Sequence, residues 1–197
     1  MKRPLAAAAA PLLALTLSVT AVPAHAAPVR RADFPTLKQV GVAFPMLKNA
    51  EREITSSAVV SFPTSCTDNA TLRATSGKLA NYNDFKSPVV ASLSVTQMRS
   101  TKQAARVTEG FGTLSKCGEY VEGEVTFTVS RLKAPKLGHQ SLGLSLSTTE
   151  DGTKVTMDHY VLRKSNRLIR VAVWYVGAKP QRARAAKLVR LAYRRGI

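Results

Sequence analysis

The chain has 197 residues, 45% of them hydrophobic and 21% charged, a balance that excludes a disordered or fibrous protein. Its 29 Lys and Arg outweigh 12 Asp and Glu, giving a formal net charge of +17. Such an excess attracts anionic surfaces: phosphate-bearing polymers, acidic glycans or lipid headgroups.

Residues 1–26 read as a secretory signal peptide. Lys2 and Arg3 form a positive start, an Ala/Leu-rich run follows, and Ala24-His25-Ala26 is a small-x-small cleavage site. The apolar run is too short for a membrane span, and the APVRRADFP that follows carries no stop-transfer pattern. No cysteine follows the cleavage site, which points away from a lipid anchor. Cleavage after Ala26 leaves 171 residues of the 197, one ordinary domain, and loss of Lys2 and Arg3 lowers the charge to +15. The expected location is secreted, extracellular or cell-wall associated, with no transmembrane helix in the mature chain. Export turns the positive charge away from nucleic acid and toward the envelope.

Residues 27–55 are expected to form a partly helical N-terminal segment. Within it TLKQVGVAFPMLKNAER (36–52) is weakly helical and Pro45 should break it. SSAVVSF (56–62) is β-like and PTSCTDN (63–69) has loop chemistry. GKLANYNDF and SPVVASLSV then read as two strands around a turn near Asn83-Asp84.

The period changes next. Ser100 suits an N-cap, and Gln103 completes a capping-box pattern. Ala104, Val107, Phe111 and Leu114 recur at helical spacing, while Gly110 and Gly112 weaken the helix. Gly118, after Cys117, suits a left-handed terminating residue.

Four runs of alternating residues follow. Val125, Phe127 and Val129 share one parity, as do Leu142, Leu144 and Leu146, then Val155, Met157 and Val161, then Ile169, Val171, Val173 and Tyr175. Short turn-forming links make these an antiparallel meander. The last run also carries Leu168, Ala172 and Trp174 on its other parity, so it should lie centrally, covered on both faces. Pro180 is placed to open a final helix with an apolar stripe of Ala185, Leu188, Val189 and Ala192. The expected fold is α+β: a twisted antiparallel sheet of about six strands, including the four-strand meander, packed against a central helix and a C-terminal amphipathic helix.

Motifs for catalysis are absent: there is no Gly-x-Ser-x-Gly elbow, His-Glu-x-x-His, P-loop or Rossmann glycine pattern. His139 sits in a turn, and His159 shares parity with Met157 and Val161, as a packed histidine would. With Cys66 and Cys117 these histidines lack metal-ligand spacing. A free extracellular thiolate would be oxidised, so Cys66 and Cys117 are expected to form a disulfide closing a 51-residue loop. No catalytic residue, metal or cofactor is assigned.

From residue 158 to 197 there are 11 Lys and Arg against one acid. Arg163, Lys164, Arg167, Arg170, Lys187, Arg190 and Arg194 are candidates for an anion-binding face. An ordinary amphipathic helix with a solvated basic side is the plainer reading of the same residues.

From about Ser56 to Arg195 the order of elements resembles the extracellular sensor domain of PknH-type bacterial serine/threonine kinases. The likeness rests on PTSC ahead of a hairpin, AARVTEGFGTLSKCG as a helix ending in Cys-Gly, and LGHQSLGLSLS before a turn. It continues with VLRKSNRLIRVAVW as a strand pair and a final amphipathic helix ending in Arg. It implies a sensor or ligand-binding domain over 56–197, with helices against a twisted antiparallel sheet, a groove for an unknown ligand, and no activity of its own. The kinase version carries two disulfides where two cysteines allow only one here. His139 stands where that family has an acid. Kinase domain and transmembrane helix are both lacking, so signalling would require a separate partner.

The leading reading is therefore a secreted, non-catalytic ligand-binding or sensor-like domain of the bacterial envelope. Its groove lies between helix and sheet, with Tyr82, Tyr160, Trp174 and Tyr175 as candidate lining. The ligand expected is a small molecule, a lipid or an anionic envelope polymer. The alternatives are a basic wall-associated structural protein, marked by a flat basic surface, and a secreted hydrolase, marked by a histidine or carboxylate beside a buried nucleophile.

Overall fold

A computed structural model describes residues 27–197; the expected signal peptide, 1–26, lies outside the described residues. Helix α1 (Leu37–Ala43) starts at Thr36, whose hydroxyl accepts from the Gln39 N–H while Gln39 Oε1 accepts from the Thr36 N–H. Pro45 ends it and opens a 3-10 turn, Pro45–Leu47. The chain then forms β1 (Glu51–Ser56) and a hairpin of β2 (Val59–Pro63) and β3 (Asn69–Arg73). Strands β4 (Ser76–Asn83) and β5 (Val89–Gln97) flank the expected turn, where Asp84 accepts from the backbone of Lys86 and Ser87. Helix α2 (Thr101–Leu114), β6 (Glu119–Glu122), β7 (Val125–Leu132), β8 (Gln140–Glu150), β9 (Thr153–Lys164), β10 (Arg167–Val176) and α3 (Arg182–Gly196) complete the order.

The main sheet runs β1-β4-β5-β10-β9-β8-β7-β6 with every pairing antiparallel, while β2 and β3 form a separate two-stranded sheet. The α+β class, the four-strand meander and the central place of β10 are as the alternation implied. The main sheet has eight strands rather than about six, since β1 and β6 escaped the hydrophobic pattern; β3, also missed, lies in the two-stranded sheet. In β1, EREITS, no residue is buried, and β6 is four residues long with Tyr120 alone buried. Strand β1 crosses the 55/56 boundary expected from sequence, pairing from Glu51↔Asn83 to Ser56↔Lys78.

Both faces of the sheet are covered, by different elements. On the first face Ile169, Val171, Val173 and Tyr175 of β10 meet Ala185, Leu188, Val189 and Ala192 of α3 and Val40, Phe44 and Leu47 around α1. On the second, Leu168, Val161, Leu144 and Leu146 meet Ala104, Val107, Phe111 and Leu114 of α2 and Val60 and Phe62 of the hairpin. At ~25 cal/mol per Å² of apolar surface removed from water, each buried Leu or Phe contributes roughly 2 kcal/mol, so the two layers together supply the driving force for the fold.

Three terminal details differ from expectation. Ser100 caps α2 through the Gln103 N–H, but Gln103 Oε1 has no hydrogen-bond partner, so the box is half-formed. The helix ends through Ser115 in a right-handed conformation, followed by turns Lys116 N–H to Thr113 and Cys117 N–H to Leu114; Gly118 is not left-handed. Helix α3 begins after Gln181, which leaves Pro180 one residue outside the cap, where it lines a cleft instead.

Candidate ligand-binding site

The second face leaves a groove where the β2–β3 hairpin, the C-terminal half of α2 and β6 meet over the sheet. Two features hold the hairpin in place. The Cys66–Cys117 disulfide, Cα atoms 5.8 Å apart, ties the β2–β3 loop to the end of α2. Gly110 lets the strand lie directly on the helix, because a Cβ there would stand 2.2 Å from the Pro63 carbonyl oxygen and 2.7 Å from Phe62 Cδ2.

The groove has a volume of about 180 Å³. Phe62, Phe111, Leu114, Leu146 and Met157 form its apolar walls, and Asn69, Tyr120 and Glu122 its rim. Arg170 and His159 lie in its floor. Arg170 Nε donates to Ser94 Oγ at 3.0 Å and Nη1 to the Ser61 carbonyl at 3.1 Å. Among the described residues the ion pairs are Arg167–Asp33 and Arg182–Asp158, so no carboxylate neutralises Arg170. Burial pulls its pKa below the usual arginine value. The imidazole of His159 meets Phe111 edge-to-face, ring centres 4.9 Å apart. Burial, then the neighbouring Arg170 charge, push its pKa down to about 3.

That depression has a measurable sign. His159 folds neutral, whereas the unfolded histidine binds a proton below about 6.5, so its contribution is present above that pH and lost as pH falls toward 3. The half-buried ring tempers the magnitude, and the expected loss between pH 7 and pH 5 is about 1–2 kcal/mol. A His159→Phe variant should flatten this slope in urea melts; an unchanged slope would assign the acid sensitivity to another group.

The residues expected from sequence separate. Tyr82, Tyr160 and Tyr175 are not groove lining: all three are at most 1% exposed, in the core of the first face. Tyr82 Oη donates to the Pro35 carbonyl at 2.6 Å, and burial pushes both Tyr82 and Tyr160 up to about 12. The phenol of Tyr175 is raised by the same cause. Each tyrosine sits on the apolar parity of its strand, and the N-terminal segment and α3 cover that side. Trp174 is half-buried on the other parity, in register with Met157 and Val90, and so borders the groove face.

The seven basic residues do not form one face. Arg170 lies on the second face, and Arg167 pairs with Asp33 on the first. Arg163 is held by Gln140 Oε1 at 2.5 Å and the Ser165 carbonyl. Lys187, Arg190 and Arg194 are exposed on α3, Lys187 donating to the Val42 carbonyl, and Lys164 is exposed at the β9–β10 turn. What the sequence reading missed is the juxtaposition of His159 and Met157 with Arg170. The two-residue turn Ser165-Asn166 fixes His159 opposite Ala172 and Met157 opposite Trp174, so that signal was present in the turn register.

No protein-family model matches the sequence, and no curated protein matches it significantly. Solved structures do. An uncharacterised protein of Mycobacterium smegmatis, the Rv0999 ortholog, aligns over 82% of this chain and 96% of its own, with 12% identity and a TM-score of 0.50. The extracellular domain of PknH from Mycobacterium tuberculosis, the type of domain the motifs resemble, aligns over 85% of this chain and 98% of its own, with 10% identity and a TM-score of 0.49. LpqN, involved in cell envelope biogenesis of Mycobacterium tuberculosis, aligns over 74% and 82% with 14% identity and a TM-score of 0.29. At 12% identity the likeness to the Mycobacterium smegmatis protein is one of fold.

Proposed function

We propose that the chain is a secreted, non-catalytic binding domain of the bacterial envelope that receives an amphipathic anion in the groove between α2, the hairpin and the sheet. The observation that carries this reading is Arg170: a half-buried guanidinium without a carboxylate partner among the described residues, at the floor of an apolar-walled groove. A carboxylate or phosphate there gains a charge-assisted hydrogen bond, and the attached carbon chain meets Phe62, Phe111 and Met157. At about 180 Å³ the groove is smaller than the roughly 300–1,000 Å³ of drug-sized sites, so it suits a headgroup and the first carbons of a chain. The rest would run along the open face past Trp174. Export is supported by the signal-peptide pattern and the disulfide.

The test compares dodecanoate and dodecyl phosphate with dodecanol by calorimetry, in the native chain and in Arg170→Met. Methionine keeps an apolar, unbranched stem and removes a half-buried charge that has no ionic partner to orphan among the described residues. The anionic probes should bind at least about tenfold tighter than dodecanol, and the variant should erase that difference. Exposed cations on α3 attract the same anions loosely; raising salt to ~0.5 M removes that contribution and leaves the buried one. Equal binding of all three probes, or full retention in Arg170→Met, sinks the reading.

A further inference from the structure

A second cleft lies on the first face, at the N-terminal end of α3. Under the helix that face is apolar, but over the far ends of β7, β8 and β9 it changes to Ser130, Ser145, Ser147 and Thr156. The register aligns them in rows, Ser130↔Ser145↔Asp158 and Ser147↔Thr156. The segment from Gly177 to Arg182 forms the opposite wall, and the space between measures about 500 Å³. That is within the ordinary range of ligand sites.

Three charged features converge there. Lys154, Lys179 and Arg182 line the cleft, and neither lysine makes an ion pair among the described residues. The N-terminus of α3 opens at the same place, with no side-chain cap, no acid in its first turn, and Arg182 and Arg184 instead. Cations at the positive end of a helix dipole are unfavourable, and an anion held there relieves both. Beneath the floor sits Asp158, with no exposed surface. Its Oδ1 accepts from Ser145 Oγ at 2.9 Å, while Oδ2 has no hydrogen-bond partner and Arg182 Nε lies 4.0 Å away. Asp158 does not itself line the cleft; it fixes the Ser145 hydroxyl in the floor, where Ser145, Ser147 and Thr156 present oxygens that ligand hydroxyls can meet.

We propose that this cleft binds an anionic sugar unit, its phosphate or carboxylate at Lys154, Lys179 and Arg182 and its ring hydroxyls over Ser145, Ser147 and Thr156. A bare anion would satisfy the rim and leave the hydroxyl floor unused. A neutral sugar would use the floor and leave the cations unpaired. The site is separate from the groove of Arg170, on the other side of the sheet.

Titration of the purified chain with glucose 6-phosphate and glucuronic acid, against glucose and inorganic phosphate, tests this by calorimetry and amide NMR. At least one anionic sugar should bind about tenfold or more tighter than both controls and shift the amides of residues 177–183. Which of the two wins separates a phosphate from a carboxylate ligand, and either result supports the site. Lys154→Ala/Lys179→Ala, at two exposed lysines without ion pairs among the described residues, should cost about tenfold or more. Ser145→Ala/Ser147→Ala should erase the preference for the sugar over inorganic phosphate, and Arg170→Met should change nothing here. Inorganic phosphate binding as tightly as the sugar phosphate would reduce the site to general charge attraction. Undiminished binding by the double-lysine variant, or no binding at ~10 mM ligand, overturns the proposal.

Discussion

A Cys66→Ser/Cys117→Ser variant is expected to lose ~4 kcal/mol of unfolding free energy, because the native bridge closes a loop of 51 residues and removes that much loop entropy from the unfolded chain. For a domain of this size the loss lowers the melting temperature by about 8–16 °C. Two controls make the attribution specific. Each single serine variant should melt with the double variant, since either substitution breaks the same bond. Strong reductant should bring the native chain down to the variants and leave the variants where they are. The effect is also local. Without the bridge the hairpin is held on α2 by the packing of Val60 and Phe62, the Asn69–Tyr120 hydrogen bond and the Val121 N–H to the Cys66 carbonyl. Binding in the Arg170 groove should therefore weaken along with stability. A variant that melts like the native chain under oxidising conditions sinks this prediction.

Gly110→Ala is the second large effect, and its sign is opposite to helix propensity. Alanine in a helix interior ordinarily gains about 1 kcal/mol over glycine. Here the new methyl would stand 2.2 Å from a backbone oxygen of Pro63, so the whole hairpin has to lift, not merely a side chain. Overpacking of that kind costs ~3 kcal/mol or more, leaving the variant roughly 2–3 kcal/mol less stable. Two residues along, Gly112 has nothing within 4 Å of its would-be Cβ. Gly112→Ala should stabilise by about 0.5–1 kcal/mol. Chemical denaturation of the pair gives the comparison, and equal shifts in one direction would refute the close-approach account.

The glycine pair shows where sequence reasoning reached and where it stopped. Both glycines read as weaknesses in α2, and nothing local distinguishes the one that admits a strand from the one facing solvent. Alternation located β7 to β10 because each carries three or more apolar residues on one parity, even though the middle strands are buried on both faces, and it missed β1 because EREITS has little to bury at the sheet edge. The stripes of α2 and α3 were legible for the same reason as the meander: their apolar residues all face the sheet. The site was harder. Parity says which residues share a face, but not which part of a face remains open. Phe34, Val40, Phe44 and Leu47 decide that for Tyr82, from a segment whose sequence shows only weak helical periodicity. In the same way Arg170 looked like one more surface cation until the hairpin was laid over it.

The central position of β10 carries a consequence for biosynthesis. It is the seam between β1-β4-β5 and β9-β8-β7-β6, and yet it is the last strand to be made. Until residues 167–176 have left the ribosome, neither half has its closing neighbour, and both expose a row of unpaired amides and carbonyls. The pairing of β10 with β5 spans as many as 86 residues, from Val89 to Tyr175, which makes it slow to find. A nascent chain built this way cannot lock early. It stays pliable until its final fifth is available, and any truncation upstream of β10 leaves two incomplete sheets rather than a smaller stable protein.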